Sequence, residues 1–200
     1  MIRSYPLAAL VLAAAALAPA MARADSSIKS PGDHPSYGVE LEPHLLFGWD
    51  NVYPGNSYGL GARFAIPVVQ NGFVPSINNS VAVTFGVDFL HFDSACGGVI
   101  NGVTYYSCKA NFLYFPVAMQ WNFFVAKQWS VFGEPGLYVY HGFFDECGNL
   151  PPGVACPYST SSTGVRPAFY VGGRYHFNEK VSLTMRIGYP TFSIGVSWFL

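Results

Sequence analysis

Two histidines stand close to groups that could complete a catalytic set. His91 is followed by Asp93 and Ser94, and His141 by Asp145. A histidine within reach of a hydroxyl and a carboxylate can take a proton from a nucleophile while the acid orients the ring. Such a set is defined in three dimensions, and nearness along the chain does not supply its geometry. A rim histidine hydrogen-bonded to its neighbours is the simpler reading. No phosphate-cradling glycine loop or nucleotide motif is present. The expectation is a protein that is not an enzyme and needs no cofactor.

A second group is redox-active. The four cysteines are Cys96, Cys108, Cys147 and Cys156. An even count in an exported chain reads as disulfides. Three pairings are open, and the local ones, Cys96–Cys108 and Cys147–Cys156, are favoured because each brackets a Gly-rich or Pro-rich loop. Metal binding is the rival, but no CxxC or CxxH spacing supports it.

A third group is ionic. Glu40, Glu42, Asp88 and Glu134 stand against Arg63, Arg166, Arg174 and Arg186, and their formal charges cancel. All eight fall on the polar positions of alternating segments. Turned into a common interior, they would need one another, because an unpaired buried charge is costly and arginine suits bidentate pairing with carboxylates. Folding the first hairpin is expected to bring Arg63 near Glu42 or His44. Folding the hairpin between the fifth and sixth strands is expected to bring Arg174 near Glu134. A bracing network is the plain reading, and an ion path or gate the sharper one.

These groups are positioned by segments of period two. In the last twenty residues, Val181, Leu183, Met185 and Ile187 alternate with Ser182, Thr184, Arg186 and Gly188. After a Gly-Tyr-Pro-Thr break, Phe192, Ile194, Val196 and Trp198 alternate with Ser193, Gly195 and Ser197. Successive side chains of a strand point to opposite faces, so two such runs around a break form a hairpin. The same alternation predicts strands over 37–48, 58–68, 81–92, 111–123, 129–143 and 165–177. Connections over 93–110 and 144–164 are long, and those between are mostly shorter. Pro43, Pro116, Pro135 and Pro167 lie inside predicted strands, where each removes a ladder donor unless a bulge absorbs it.

Residues 1–24 read as a signal peptide: Arg3, an apolar run from Leu7 to Leu17, then Ala22-Arg23-Ala24 before the cleavage point. Residues 25–36 read as a flexible leader, and 37–200 as one domain. Without Arg3 and Arg23 the balance is three negative charges, which excludes a nucleic-acid footprint built on a basic stripe. Only 10% of the chain is charged, against about 25% in ordinary soluble domains. A secreted soluble barrel would need a charged exterior. Here lysines are confined to leader, loops and turns, and the apolar strand face is continuous. The expected fold is therefore all-β: an eight-stranded antiparallel transmembrane barrel with its apolar face toward lipid. Trp49, Tyr58, Trp121, Trp129, Tyr189 and Trp198 fall near strand ends, as the aromatic girdles of membrane interfaces do. Eight strands leave an interior that side chains can fill.

The alternating strands, the segments NFLYFPVAMQWNFF (111–124) and GEPGLYVY (133–140), and the aromatic end SIGVSWFL (193–200) resemble the small outer-membrane β-barrel proteins of Gram-negative bacteria, the OmpA/OmpX-like transmembrane barrel family. No His-x-Ser-Asn run like that of the lipid A deacylases is present. The resemblance implies an outer-membrane location, contact with membrane lipid and lipopolysaccharide, and handling by the barrel-assembly machinery. It also implies a narrow lumen and a structural or surface-interaction role, with loops 93–110 and 144–164 open to an extracellular ligand. A channel for small solutes or hydrophobic compounds is the first alternative, and a lipid-modifying enzyme the second.

Overall fold

In a computed structural model, residues 26–48, 57–92, 97–100, 103–106, 109–144, 161–189 and 191–200 are described, those of 97–100 and 103–106 by backbone alone. Ten strands follow in chain order: β1 Glu40–Gly48, β2 Ser57–Val69, β3 Asn79–Phe92, β4 Gly97–Ile100, β5 Val103–Tyr106, β6 Ala110–Ala126, β7 Trp129–Phe144, β8 Ser161–His176, β9 Val181–Tyr189 and β10 Thr191–Phe199. Eight of them close a barrel in the order β1-β10-β9-β8-β7-β6-β3-β2, and β4 and β5 pair as a separate two-stranded sheet. All pairings are antiparallel, and β1 against β10 shuts the ring. The C-terminal hairpin is β9–β10, with Val196 opposite Leu183 and Ser193 opposite Arg186. The β4–β5 hairpin is an addition, within a stretch that composition alone reads as loop.

Closure leaves no unpaired edge, and it sorts the two faces. Leu45, Leu60, Val68, Val117, Leu137, Val165 and Phe169 are more than half exposed on the outside. The inward positions carry the buried charges and small polar residues, among them Thr84, Gln120, Thr184 and Ser197. The usual order of a soluble fold is thus inverted. Water-driven burial of apolar side chains cannot favour this outer face, whereas a hydrocarbon surround accepts it without cost.

Pro43, Pro116, Pro135 and Pro167 are accommodated by lapses in pairing, not by bulges. The β1–β10 ladder is interrupted between Leu41 and His44, around Pro43. The β3–β6 ladder breaks between Phe85 and Asp88, opposite Pro116, and the β6–β7 ladder between Ala118 and Trp121, opposite Pro135. Pro167 lies where β8 extends beyond the end of β9, whose pairing begins at Phe169. Each missing N–H therefore sits where no partner asks for it. The register shifts fall elsewhere, at Pro67/Val69 and at Phe124/Ala126.

The leader packs against the barrel. Ser26 bridges to Ala126. The Ser27 N–H donates to Val125 O at 3.3 Å, and the Asn78 N–H donates to Ile28 O at 2.8 Å. His34 stacks on Phe124 at 4.3 Å, and Tyr37 meets Phe199 at 4.2 Å and His176 at 5.9 Å. The segment thus runs from the ends of β3 and β6 to those of β10 and β1, across the mouth at the short-turn end. Its neighbour, the β2–β3 turn, needs Gly72: the residue has a φ of +59°, and a Cβ there would fall on the Asn79 side chain.

Candidate functional site

The lumen charges are brought together by strands from all round the barrel. Arg63 on β2 donates to Asp88 on β3 at 3.1 Å and to Glu134 on β7 at 3.1 Å. Arg186 on β9 reaches Glu42 on β1 at 2.7 Å and Glu134 at 2.9 Å. Arg174 on β8 reaches Glu40 on β1 at 2.7 Å, and donates to Asn122 at 2.9 Å and Gln120 at 3.1 Å. Gln120 also donates to Glu134. Most of these links join strands that are not neighbours in the barrel, so the side chains cross the lumen. All of these residues are buried. Charge-assisted bonds in such a low-dielectric setting are strong, and both partners are held by further bonds.

Two expectations change, and a third holds in register but not in ion pairing. Arg174 does not pair with Glu134. In the β7–β8 ladder Arg174 stands opposite Ser130 and Glu134 opposite Tyr170, an offset of four residues, or about 13 Å along the strand. Arg63 does stand opposite Glu42 in the β1–β2 ladder, yet its ion pairs go to Asp88 and Glu134, and Glu42 is taken by Arg186. Arg166 is outside the network: it is exposed, with its guanidinium 5.8 Å from the Tyr140 ring centroid. Four carboxylates then face three guanidiniums. His44 enters in its place, with Nε2 2.9 Å from Asp88 and Nδ1 3.6 Å from Glu42. His44 shares the inward face of β1 with Glu40 and Glu42. Its partnership with Asp88 becomes visible only through Gly61, where a Cβ would lie 2.3 Å from Asp88 Oδ1 and 2.6 Å from His44 Nε2.

Above this layer, toward the long connections, the interior turns aromatic. Phe92, Phe112, Tyr114, Tyr138 and Tyr170 pack with Leu46 and Leu90. Phe92 meets Phe112 edge-on at 5.4 Å, and Tyr114 meets Tyr138 likewise at 5.3 Å. Tyr170 joins the two layers, with Arg63 5.3 Å from its ring centroid. Below the charges, a cavity of about 20 Å³ touches Tyr37, Glu40, Gln120, Arg174 and Phe199. That is room for about one water molecule. Tyr37 lies before the first strand, and burial pushes its phenol up to about 12.

The other singled-out residues fall at the two ends. Trp121 donates from Nε1 to Asn79 Oδ1 at 2.9 Å and packs on Phe123 and Phe73. Trp129 packs on Tyr175, which meets Phe177. With Trp198, 41% exposed, these lie at the short-turn end, and Tyr58 and Tyr189 lie at the other. His91 Nδ1 is 2.8 Å from Asn111 Oδ1, and His141 Nδ1 is 2.5 Å from Thr163 Oγ1. Trp49, Asp93, Ser94, Asp145, Cys96, Cys108, Cys147 and Cys156 lie outside the described residues. Among the described residues no cluster of His, Cys, Asp and Glu is arranged to hold a metal ion.

No family model matches the sequence, and no curated protein matches it closely enough to count. Solved structures do match. Ail, the attachment invasion locus protein of Yersinia pestis, superposes with a TM-score of 0.51 at 13% identity, over 81% of this chain and 96% of that one. Ail in complex with the heparin analogue sucrose octasulfate gives 0.50 at 12% identity with the same coverage. Neisserial surface protein A gives 0.46 at 13% identity, over 81% of this chain and 96% of its own. Together with the closed ring of eight antiparallel strands, the match to Ail shows that this chain has the fold of the small Gram-negative outer-membrane β-barrels.

Proposed function

We propose that the protein is a non-enzymatic barrel of the bacterial outer membrane, with a closed lumen and a structural or surface-interaction role carried by its long connections. The observation that carries this reading is the lumen itself. An ion-pair lattice crosses it, an aromatic layer lies above, and the leader crosses the mouth below. A pore needs a continuous wet path, and arginines shared between carboxylates on opposite walls support a filled interior instead. The exposed apolar exterior supports the membrane location.

The Ail structure holds a heparin analogue, which makes a polyanionic ligand worth testing at loops 93–110 and 144–164. Disulfides within those loops, Cys96–Cys108 and Cys147–Cys156, would stiffen them and lower the ordering cost of binding. The enzymatic alternative is tested at His91 and His141, whose rings lie beside Asn111 and Thr163. Lipid A of a His91→Ala, His141→Ala strain should match the wild type.

The test of a closed lumen is a planar-bilayer recording of the purified protein, which should show a silent baseline. Steady conductance would overturn it in favour of a channel for small solutes or hydrophobic compounds. The membrane location is tested separately, by an unboiled gel of the outer-membrane fraction. A folded barrel should run apart from its boiled form, and its absence from that fraction would sink the location.

A further inference from the structure

At the short-turn end, one ring sits among side chains from three strands. Tyr37 meets Phe199 of β10 at 4.2 Å, His176 of β8 at 5.9 Å and Phe124 of β6 at 6.1 Å. Those three side chains are buried, and no two of their strands are neighbours in the barrel. Their own rings are close, with His176 5.8 Å from Phe199 and 6.5 Å from Phe124. Tyr37 also borders the small cavity that touches Glu40 and Arg174. The leader that delivers this ring is held along its length. The Ser27 hydroxyl donates to Phe124 O at 3.1 Å, and the Asn78 side chain donates to Asp33 O at 2.9 Å. His34 Nε2 lies 2.9 Å from Gln70 O, and the Gln70 side chain donates to Tyr37 O at 3.4 Å. Just beyond Tyr37, the Leu200 N–H donates to Val39 O at 2.9 Å, beside the seam between β1 and β10.

These contacts differ in when they can form. Until β1 pairs with β10, those two strands are the opposite edges of one sheet. Strands lie about 4.8 Å apart, so seven steps separate the edges by about 34 Å. Tyr37 travels with β1, which begins at Glu40, and three residues reach about 10 Å at most. The ring therefore cannot meet Phe199 in an open sheet. Ser27 and Ile28 are under no such restriction, because their partners on β6 and at Asn78 lie within the length of the leader on the β1 side of the sheet. We infer that Tyr37 is a latch, which docks after the β1–β10 seam has closed and then holds the ring shut. A contact made only after the closing step slows opening and leaves closing alone. The latch sets how long the barrel stays folded and has no part in how fast it folds. The inference goes beyond the surface role above, since it needs the closed ring and not a silent lumen.

The experiment times folding and unfolding of the full chain in phospholipid vesicles, with the heat-shifted gel band as the measure of folded protein. Tyr37→Ala should unfold in urea about tenfold faster than the wild type, the size expected for a ring that loses its aromatic neighbours. Its refolding rate should stay within about twofold of the wild type, as for a contact formed after the rate-limiting step. Tyr37→Phe keeps the ring contacts and should restore slow unfolding. Refolding slowed as much as unfolding is quickened would overturn the inference, because the ring would then take part in the closing step. An unchanged unfolding rate in Tyr37→Ala would overturn it too. So would a Tyr37→Ala chain that never gives the folded band, which would make the ring a requirement for assembly and not a latch on the finished barrel.

Discussion

Glu134 is the residue on which the lumen lattice turns, and replacing it with glutamine gives a sharp test. The side chain is fully buried and takes contacts from Arg63, Arg186 and Gln120. Glutamine keeps the shape and removes the charge. Breaking a buried ion pair from one side costs about 3–5 kcal/mol, because the partner is left uncompensated. Arg63 retains Asp88 and Arg186 retains Glu42, so the lower end of that range, about 3 kcal/mol, is expected. With a urea slope of about 1–3 kcal/mol per molar, the unfolding midpoint should fall by at least about 1 M. The assay is urea unfolding of the refolded barrel, followed by tryptophan fluorescence and by the heat-shifted gel band. A double-mutant cycle sharpens it. Glu134→Gln should couple to Arg63→Met by about 0.5–3 kcal/mol, as contacting residues do, and less to Arg174→Met, since Arg174 reaches Glu134 only through Gln120. A coupling to Arg174 larger than that to Arg63, or an unchanged midpoint in Glu134→Gln, would refute the lattice as described.

Further outcomes follow from other parts of the structure. Arg166→Ala should leave the midpoint within about 0.5 kcal/mol, as exposed substitutions do, and a larger loss would return Arg166 to the network. Gly61→Ala would place a methyl between His44 and Asp88; it should destabilise by about 1–3 kcal/mol, as overpacking does, and His44→Ala in the same chain should reduce that loss. Val117→Arg, at a half-exposed outward position in mid-β6, should cost about 2–4 kcal/mol in a bilayer, and a neutral result would contradict a lipid-facing wall there. The Tyr37 phenol, pushed up to about 12 by burial, favours its neutral form in the folded state. Its stabilising share is therefore present below about pH 10 and lost as pH rises toward 12. An ultraviolet titration of wild type against Tyr37→Phe should show the difference step near the upper value, and a step near 10 would mean that the leader does not cover the ring.

The period-two pattern was legible because it is local: each strand carries its own two faces, whatever it pairs with. Strand limits near β3, β6 and β8 moved outward by a few residues. There the flanking residues Asn79, Ala110 and Ser161 continue a ladder whose partner strand is long enough to accept them. The leader's contacts were not legible, since nothing in Pro31, Gly32 and Pro35 announces Phe124 or Asn78 as partners. The β4–β5 hairpin was hidden for a similar reason, being a short pair inside a glycine-rich stretch.

The sequence by itself determined that this is an all-β chain with an apolar outside, and which side of each strand every lumen charge would occupy. It could not determine which charges meet. Partners across a barrel depend on the stagger accumulated over eight strands, and no single hairpin carries that quantity. Stagger set Arg174 against Glu40 and away from Glu134, left Arg166 above the network beside Tyr140, and placed His44 on Asp88. Each side chain's face is a property of its own strand, while its partner is a property of the closed ring.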